Sequence, residues 1–185
     1  MLDARCWIKM AAIQHQASSI EAAMLLYIIR HAYAYEHGDP RWPDDSQRPL
    51  EAEGAERFRR GMKKLVEGGV KPEVIASSPY VRCRQTADIL REELDGRPAV
   101  VELEELAPGS DLDGLLHWSR RQKADSVAWV GHSPDVEHLI AALISEGDAN
   151  VRIAKGTVAA IRIYGELAAG SGELKWLVTL KTLGA

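Results

Sequence analysis

Arg30 and His31 stand directly behind the apolar run Met24-Leu25-Leu26-Tyr27-Ile28-Ile29, and residues of the same two chemical types, Arg82 and His132, follow behind later apolar runs. A planar guanidinium matches phosphoryl oxygens two at a time. A neutral imidazole is a nucleophile that works near neutral pH. Two arginines and two histidines meeting in one crevice would form a cationic cup that holds a phosphoryl group and attacks it, without needing a metal or another cofactor. An isolated Arg-His pair is more often an ordinary strand end. Its recurrence behind three apolar runs is what points to a site.

The elements that must position these residues follow from periodicity. Residues 24–29 are too few for a membrane span and read as a buried strand. A polar loop from Tyr33 to Pro49 follows, long enough to suggest function. Leu50 to Val66 reads as a helix on the spacing of Phe58, Met62, Leu65 and Val66, stopped by Gly68-Gly69. Val74-Ile75-Ala76 is a second strand, with Pro79 placed in the first turn of a helix from Tyr80 to Leu94. Val100-Val101 begins a strand, Leu112 to Gln122 is a helix, and Val127-Ala128-Trp129-Val130 is a further buried strand ending at Gly131-His132-Ser133. A helix from Pro134 to Ile144 precedes strands at 158–164 and 174–180, joined by a Gly-rich turn as an antiparallel hairpin. This alternation predicts an α/β chain, a three-layer α/β/α sandwich on a mainly parallel sheet. Ligand sites in such sheets lie at the carboxyl ends of strands.

Composition sets the class. The 185 residues suit one domain with a sizeable core. A net charge of −4 and the lack of long basic runs give no electrostatic reason to expect nucleic acid or a membrane surface as partner. Cys6 and Cys83 offer neither a disulfide framework nor zinc-ligand spacing, which suits a reducing cytoplasm. The domain is expected over 24–185, with 1–23 an N-terminal extension. One reading starts translation at Met24; the other gives the extension a short helix with Ser18 and Glu21 as a capping box.

The segments Tyr27-Ile28-Ile29-Arg30-His31-Ala32, Arg48-Pro49-Leu50 with Gly54, Ser77-Ser78-Pro79-Tyr80-Val81-Arg82 with Gln85-Thr86-Ala87, and Val130-Gly131-His132 appear in that order. Together they resemble the histidine phosphatase superfamily, of phosphoglycerate mutase-like fold, and most closely its small SixA-type phosphohistidine phosphatases. The resemblance covers about Met24 to Ala185. It implies that His31 becomes transiently phosphorylated while Arg30, Arg82 and His132 bind the phosphate. It further implies a phosphorylated protein as partner, such as a histidine-phosphotransfer domain, or alternatively a small phosphomonoester. The short interval from Arg82 to His132 leaves little chain to cover the site and favours the phosphoprotein. Glu105 falls where many members carry their acid and is a candidate proton donor; a solvated acidic turn with Glu102 and Glu104 is the other reading. Ala32 replaces the usual glycine, which would strain a backbone needing positive φ.

Other constellations fare worse. Gly131-His132-Ser133-Pro134-Asp135 lacks the final glycine of a nucleophile elbow, and beyond it only His138 is available as a base. Cys83 has Ile89 where a cysteine phosphatase needs arginine, although its closeness to the site would favour oxidation. A phosphate-binding module without turnover keeps the arginines but has no use for His31. His37 and Asp39 in the long loop could contact substrate, yet loop polarity alone explains them, and Arg48 either braces the loop beside the phosphate or lies on the surface. Arg84 points away from Arg82 on a helix. The tryptophans Trp42, Trp118, Trp129 and Trp176 read as packing residues.

Overall fold

The computed structural model describes residues 24–185, so both readings of residues 1–23 lie outside the described residues. Six strands form one sheet: β1 (Met24–Arg30), β2 (Val74–Ser77), β3 (Ala99–Glu102), β4 (Ser126–Gly131), β5 (Val158–Ile163) and β6 (Gly172–Val178). Their spatial order is β3-β2-β4-β1-β5-β6. The pairs β3/β2, β2/β4 and β4/β1 are parallel, whereas β1/β5 and β5/β6 are antiparallel. The expected hairpin is therefore present and also extends the sheet on the β1 side, with a register shift between Ala160 and Ile161.

Among the described residues four α-helices cover the sheet: α1 (Ala52–Glu67), α2 (Val81–Glu93), α3 (Leu112–Arg121) and α4 (Asp135–Ser145). Successive side chains of a strand point to opposite faces, and β1 shows the result. Tyr27 and Ile29 pack with Phe58 and Met62 of α1 and Leu90 of α2, while Leu26 and Ile28 pack with Leu115 of α3 and Leu139 of α4. Two apolar cores on either side of one sheet make the three layers. The continuous burial of β4 follows from its position between two parallel neighbours with both faces covered.

Several boundaries shift by a residue or two from expectation, the last strand running over Gly172–Val178, and two of the shifts have a local reason. Leu50 makes an antiparallel bridge to Ala34 and donates its N–H to Gln85 Oε1, so α1 begins only at Ala52. Tyr80 is extended (φ −64°, ψ 133°), so α2 begins at Val81 and Pro79 stands outside its first turn.

The turn before β5 ties the end of β1 in place. Gly156, at φ +74°, donates its N–H to the carbonyls of Arg30 and His31, each at 3.1 Å. An added Cβ would stand 2.7 Å from Leu180 Cδ1. Gly156→Ala is therefore expected to cost about 1–3 kcal/mol of stability through its left-handed backbone alone, measurable by denaturant unfolding, with a loss of activity exceeding the loss of folded protein.

Candidate functional site

The strand register brings the predicted residues together. Arg30 pairs opposite Gly131 and Ser77 opposite Val130, so His31, His132 and Ser78 emerge side by side at the carboxyl ends of three parallel strands. Arg82 reaches the same place from the first turn of α2. Arg30, His31, Arg82 and His132 all line a cavity of about 410 Å³, together with His37, Asp45, Arg48 and Lys155.

His31 is 6% exposed, and its Nδ1 lies 2.8 Å from the carbonyl oxygen of Ala32. A carbonyl only accepts, so the proton sits on Nδ1 and Nε2 keeps its lone pair. Ala32 has no positive φ, so the substitution for glycine carries no backbone strain. Its N–H donates to Thr86 Oγ1 at 3.0 Å, and that hydroxyl donates to the carbonyl of Arg82 at 2.7 Å. One buried threonine thus joins the nucleophile's turn to the helix carrying the second arginine.

Arg30 Nη1 donates to the carbonyl of Ile153 at 2.7 Å. Arg82 Nη1 donates to the carbonyl of Asp45 at 2.8 Å, while its Nη2 meets Asp45 Oδ2 at 3.0 Å and His132 Nδ1 at 3.1 Å. Because a guanidinium cannot accept, His132 Nδ1 accepts and its Nε2 faces Ser78 Oγ at 2.8 Å. Both ring nitrogens of His132 are engaged, so in this arrangement it orients Arg82 instead of presenting a free N–H to the cup. The rings of His31 and His132 meet edge to face, centroids 5.5 Å apart.

Burial pushes the His31 imidazole down to about 3, opposed by the Ala32 hydrogen bond and reinforced by Arg82, His132 and Arg30. Burial, then Arg82, likewise pushes His132 down to about 3, against the pull of Asp45. Both are neutral at neutral pH, as nucleophile and acceptor require.

Asp45 and Lys155 were not singled out in the sequence, although Asp45 had a signal in its i,i+3 spacing from Arg48. Asp45 Oδ1 accepts from Arg48 Nε at 2.7 Å and faces His37 Nδ1 at 2.9 Å. Burial opposes its ionisation, but hydrogen bonds from Arg48 and His37 and the charge of Arg82 hold its carboxyl well below the usual range. Arg48 is 7% exposed, and its Nη1 donates to the carbonyl of Tyr35. It braces the loop at the cup and is not a surface residue. Lys155 lies over the Tyr33 ring, its ammonium pushed down in pKa by burial and then by Arg30.

The structure does not bring Glu105 into the cup. Its Cγ lies against Gly114 of α3, close enough that an added Cβ there would stand 2.7 Å away, and Pro108 and Gly109 of the same loop line the cavity instead. Cys83 touches His132, Sγ 3.5 Å from Nε2, but is fully buried with its thiol pushed up to about 12 by burial. Proximity to the site does not make it oxidisable, because the reactive thiolate is suppressed. Arg84 pairs with Asp88 and Glu102 away from the cup, and Asp39 pairs with Arg41. Trp129 is buried with its Nε1 on Ser119 Oγ, and Trp176 packs on Tyr27, whereas Trp42 stacks on Tyr35 beside the site.

A sequence model of the histidine phosphatase superfamily (branch 1) matches residues 26–156. An uncharacterized protein of Picosynechococcus is 37% identical over 117 residues, 61% of this chain and 68% of the relative. The structure of the protein histidine phosphatase SixA complexed with tungstate superposes with a TM-score of 0.74 at 24% identity, covering 86% of this chain and 99% of that one. The α-ribazole phosphatase of Shigella flexneri gives a TM-score of 0.62 at 19% identity over 85% of this chain and 97% of that one. These structural likenesses establish a common fold.

The two depressed histidines fix a direction for stability against pH. Between 6.5, the ordinary imidazole value, and about 3, the unfolded chain binds protons on His31 and His132 that the folded chain does not. Stability from these groups is thus complete above 6.5 and lost as pH falls through that window. Denaturant unfolding from pH 7 to pH 4, run on wild type and His132→Gln, should show a shallower loss in the variant.

Proposed function

The chain belongs to the histidine phosphatase superfamily, and from that membership we propose that it is a metal-independent phosphatase removing the phosphoryl group from phosphohistidine on a protein partner, by way of a phosphorylated His31. The observation that carries the catalytic part is the His31 Nδ1 contact to the Ala32 carbonyl, which leaves Nε2 unprotonated among cationic groups. A module that only captured phosphate would have no use for a nucleophile held in that tautomer.

His31 Nε2 attacks phosphorus, and its Nδ1 keeps its proton, donated in a hydrogen bond to the Ala32 carbonyl, while positive charge develops on the ring. Arg30 and Arg82 neutralise the phosphoryl oxygens as charge shifts toward the leaving group. His132, against Arg82, completes the phosphate pocket. Water then hydrolyses the phosphorylated imidazole, which departs as a neutral ring because Nδ1 already carries its proton. The guanidinium groups supply the positive charge that a metal supplies elsewhere.

The mouth of the cup favours a protein partner. Between Arg82 and His132 the chain forms β3, a short 3-10 turn, α3 and β4, and α3 packs its Leu115 and Leu116 into the sheet core and not over the site. His37, at the mouth, has a side chain 82% exposed. An open mouth admits a side chain carried on a folded protein. The second reading, a small phosphomonoester substrate, draws support from the fold shared with the α-ribazole phosphatase.

The test compares a phosphohistidine protein with alkyl and aryl phosphomonoesters, using wild type and His31→Ala. His31→Ala should abolish every activity together with acid-labile phosphate on the enzyme, and chelators should change nothing. Preference for the phosphohistidine protein in kcat/KM is expected; preference for a monoester would select the second reading. Binding of phosphoprotein with neither release nor labelling would refute both.

A further inference from the structure

The covalent mechanism needs a proton carrier that its four residues do not provide. An oxygen leaving group must be protonated as it departs, and the water that attacks phosphorylated His31 must give a proton up. His31 is the nucleophile, and both nitrogens of His132 are engaged by Arg82 and Ser78. Asp45 is held ionised by Arg48, His37 and Arg82, and Glu105 lies outside the cavity.

We propose that His37, on the mouth side of the cup, carries the proton in both half-reactions, a reading that rests on the covalent mechanism above. Three observations support it. His37 lines the same cavity as the buried His31, yet its own side chain is 82% exposed. In an in-line displacement the leaving group departs opposite the nucleophile, and on the proposed path that direction runs from buried His31 toward the exposed side of the cavity, which His37 lines. Its Nδ1 lies 2.9 Å from Asp45 Oδ1. A carboxylate only accepts, so Nδ1 keeps its hydrogen whether the ring is neutral or charged, and exchange is confined to Nε2. Finally, the loop that presents His37 is anchored: Tyr35 N–H donates to the Pro49 carbonyl and Arg48 Nη1 to the Tyr35 carbonyl.

The charged groups around this histidine are Asp45 on its own loop, Arg48 and Arg82 behind Asp45, neighbouring Glu36, and Asp39 bound to Arg41. Across the cavity stand Asp135, whose carboxylate accepts from Gly109 N–H, and Lys155 over Tyr33. Lys155 is the rival donor: it lies within the field of Arg30 and also of Arg48 and Glu36, and the Lys155→Met variant below separates it from His37.

In the first step a bond forms between His31 Nε2 and phosphorus as the bond to the leaving oxygen breaks, and that oxygen takes the Nε2 proton of His37. In the second, water gives a proton to His37 Nε2 and bonds to phosphorus while the phosphorus–His31 bond breaks. Inorganic phosphate leaves, and both rings return to their starting states. A phosphohistidine substrate draws on His37 chiefly in the second step, since its leaving ring can be protonated by solvent at the nitrogen remote from phosphorus.

Single-turnover labelling of His31 separates the steps. With His37→Gln, labelling from an alkyl phosphate should slow by about 100-fold, and labelling from p-nitrophenyl phosphate, whose leaving group departs as a stable anion, by less than about fivefold. Decay of the labelled enzyme should slow as well, and added imidazole should restore it. Equal slowing with both donors, no slowing with the alkyl donor, or the leaving-group dependence appearing in Lys155→Met instead would overturn the assignment while leaving the covalent mechanism intact. Failure of wild-type His31 to take acid-labile phosphate from any donor would overturn both.

Discussion

The parallel register of β1 against β4 is the constraint on which the rest of the site depends. Arg30 stands opposite Gly131, and the residue after each is a histidine. A slip of one residue would turn every side chain of β1 to the other face, taking Tyr27 and Ile29 out of one core and Leu26 and Ile28 out of the other. The packing that specifies the fold therefore specifies the distance between the two imidazoles. β2 extends the same logic, since Ser77 opposite Val130 delivers Ser78 to the ring of His132.

On this frame the site is built as one connected polar network. His31 leans on the Ala32 carbonyl, Ala32 on Thr86, Thr86 on the carbonyl of Arg82, and Arg82 on both Asp45 and His132. Burial raises the stakes of each link, because an unpaired polar group in a low-dielectric interior is costly. It also keeps both histidines neutral, which free-solution chemistry at mildly acidic pH would not. The cluster's positive charge is carried by the guanidinium groups of Arg30, Arg48 and Arg82, joined by Lys155.

Much of this was legible in the chain. Buried strands are continuous apolar runs, and the polar residues that end them stand out, so the strand ends, helices and four central residues could be read directly. The parts that escaped depend on long-range geometry. Asp45 is an ordinary loop residue until the loop folds back over Arg82, whereas the sequence already offers Arg48 as a candidate brace of that loop. Lys155 belongs to the site only because the β5 approach crosses the end of β1. Glu105 was placed by sequence neighbourhood, but the 3-10 turn over 104–106 sends its side chain toward α3. His132 reached its expected place, while its partners, Arg82 and Ser78, gave it a bracing role that residue type alone does not convey.

The bridge from Asp45 to Arg82 and Arg48 also bears on how the site fills. Both terminal nitrogens of Arg82 are already satisfied by Asp45, one through its backbone and one through its carboxylate. A phosphate entering the cup must displace an internal carboxylate tethered to the same guanidinium before it gains Arg82 in full.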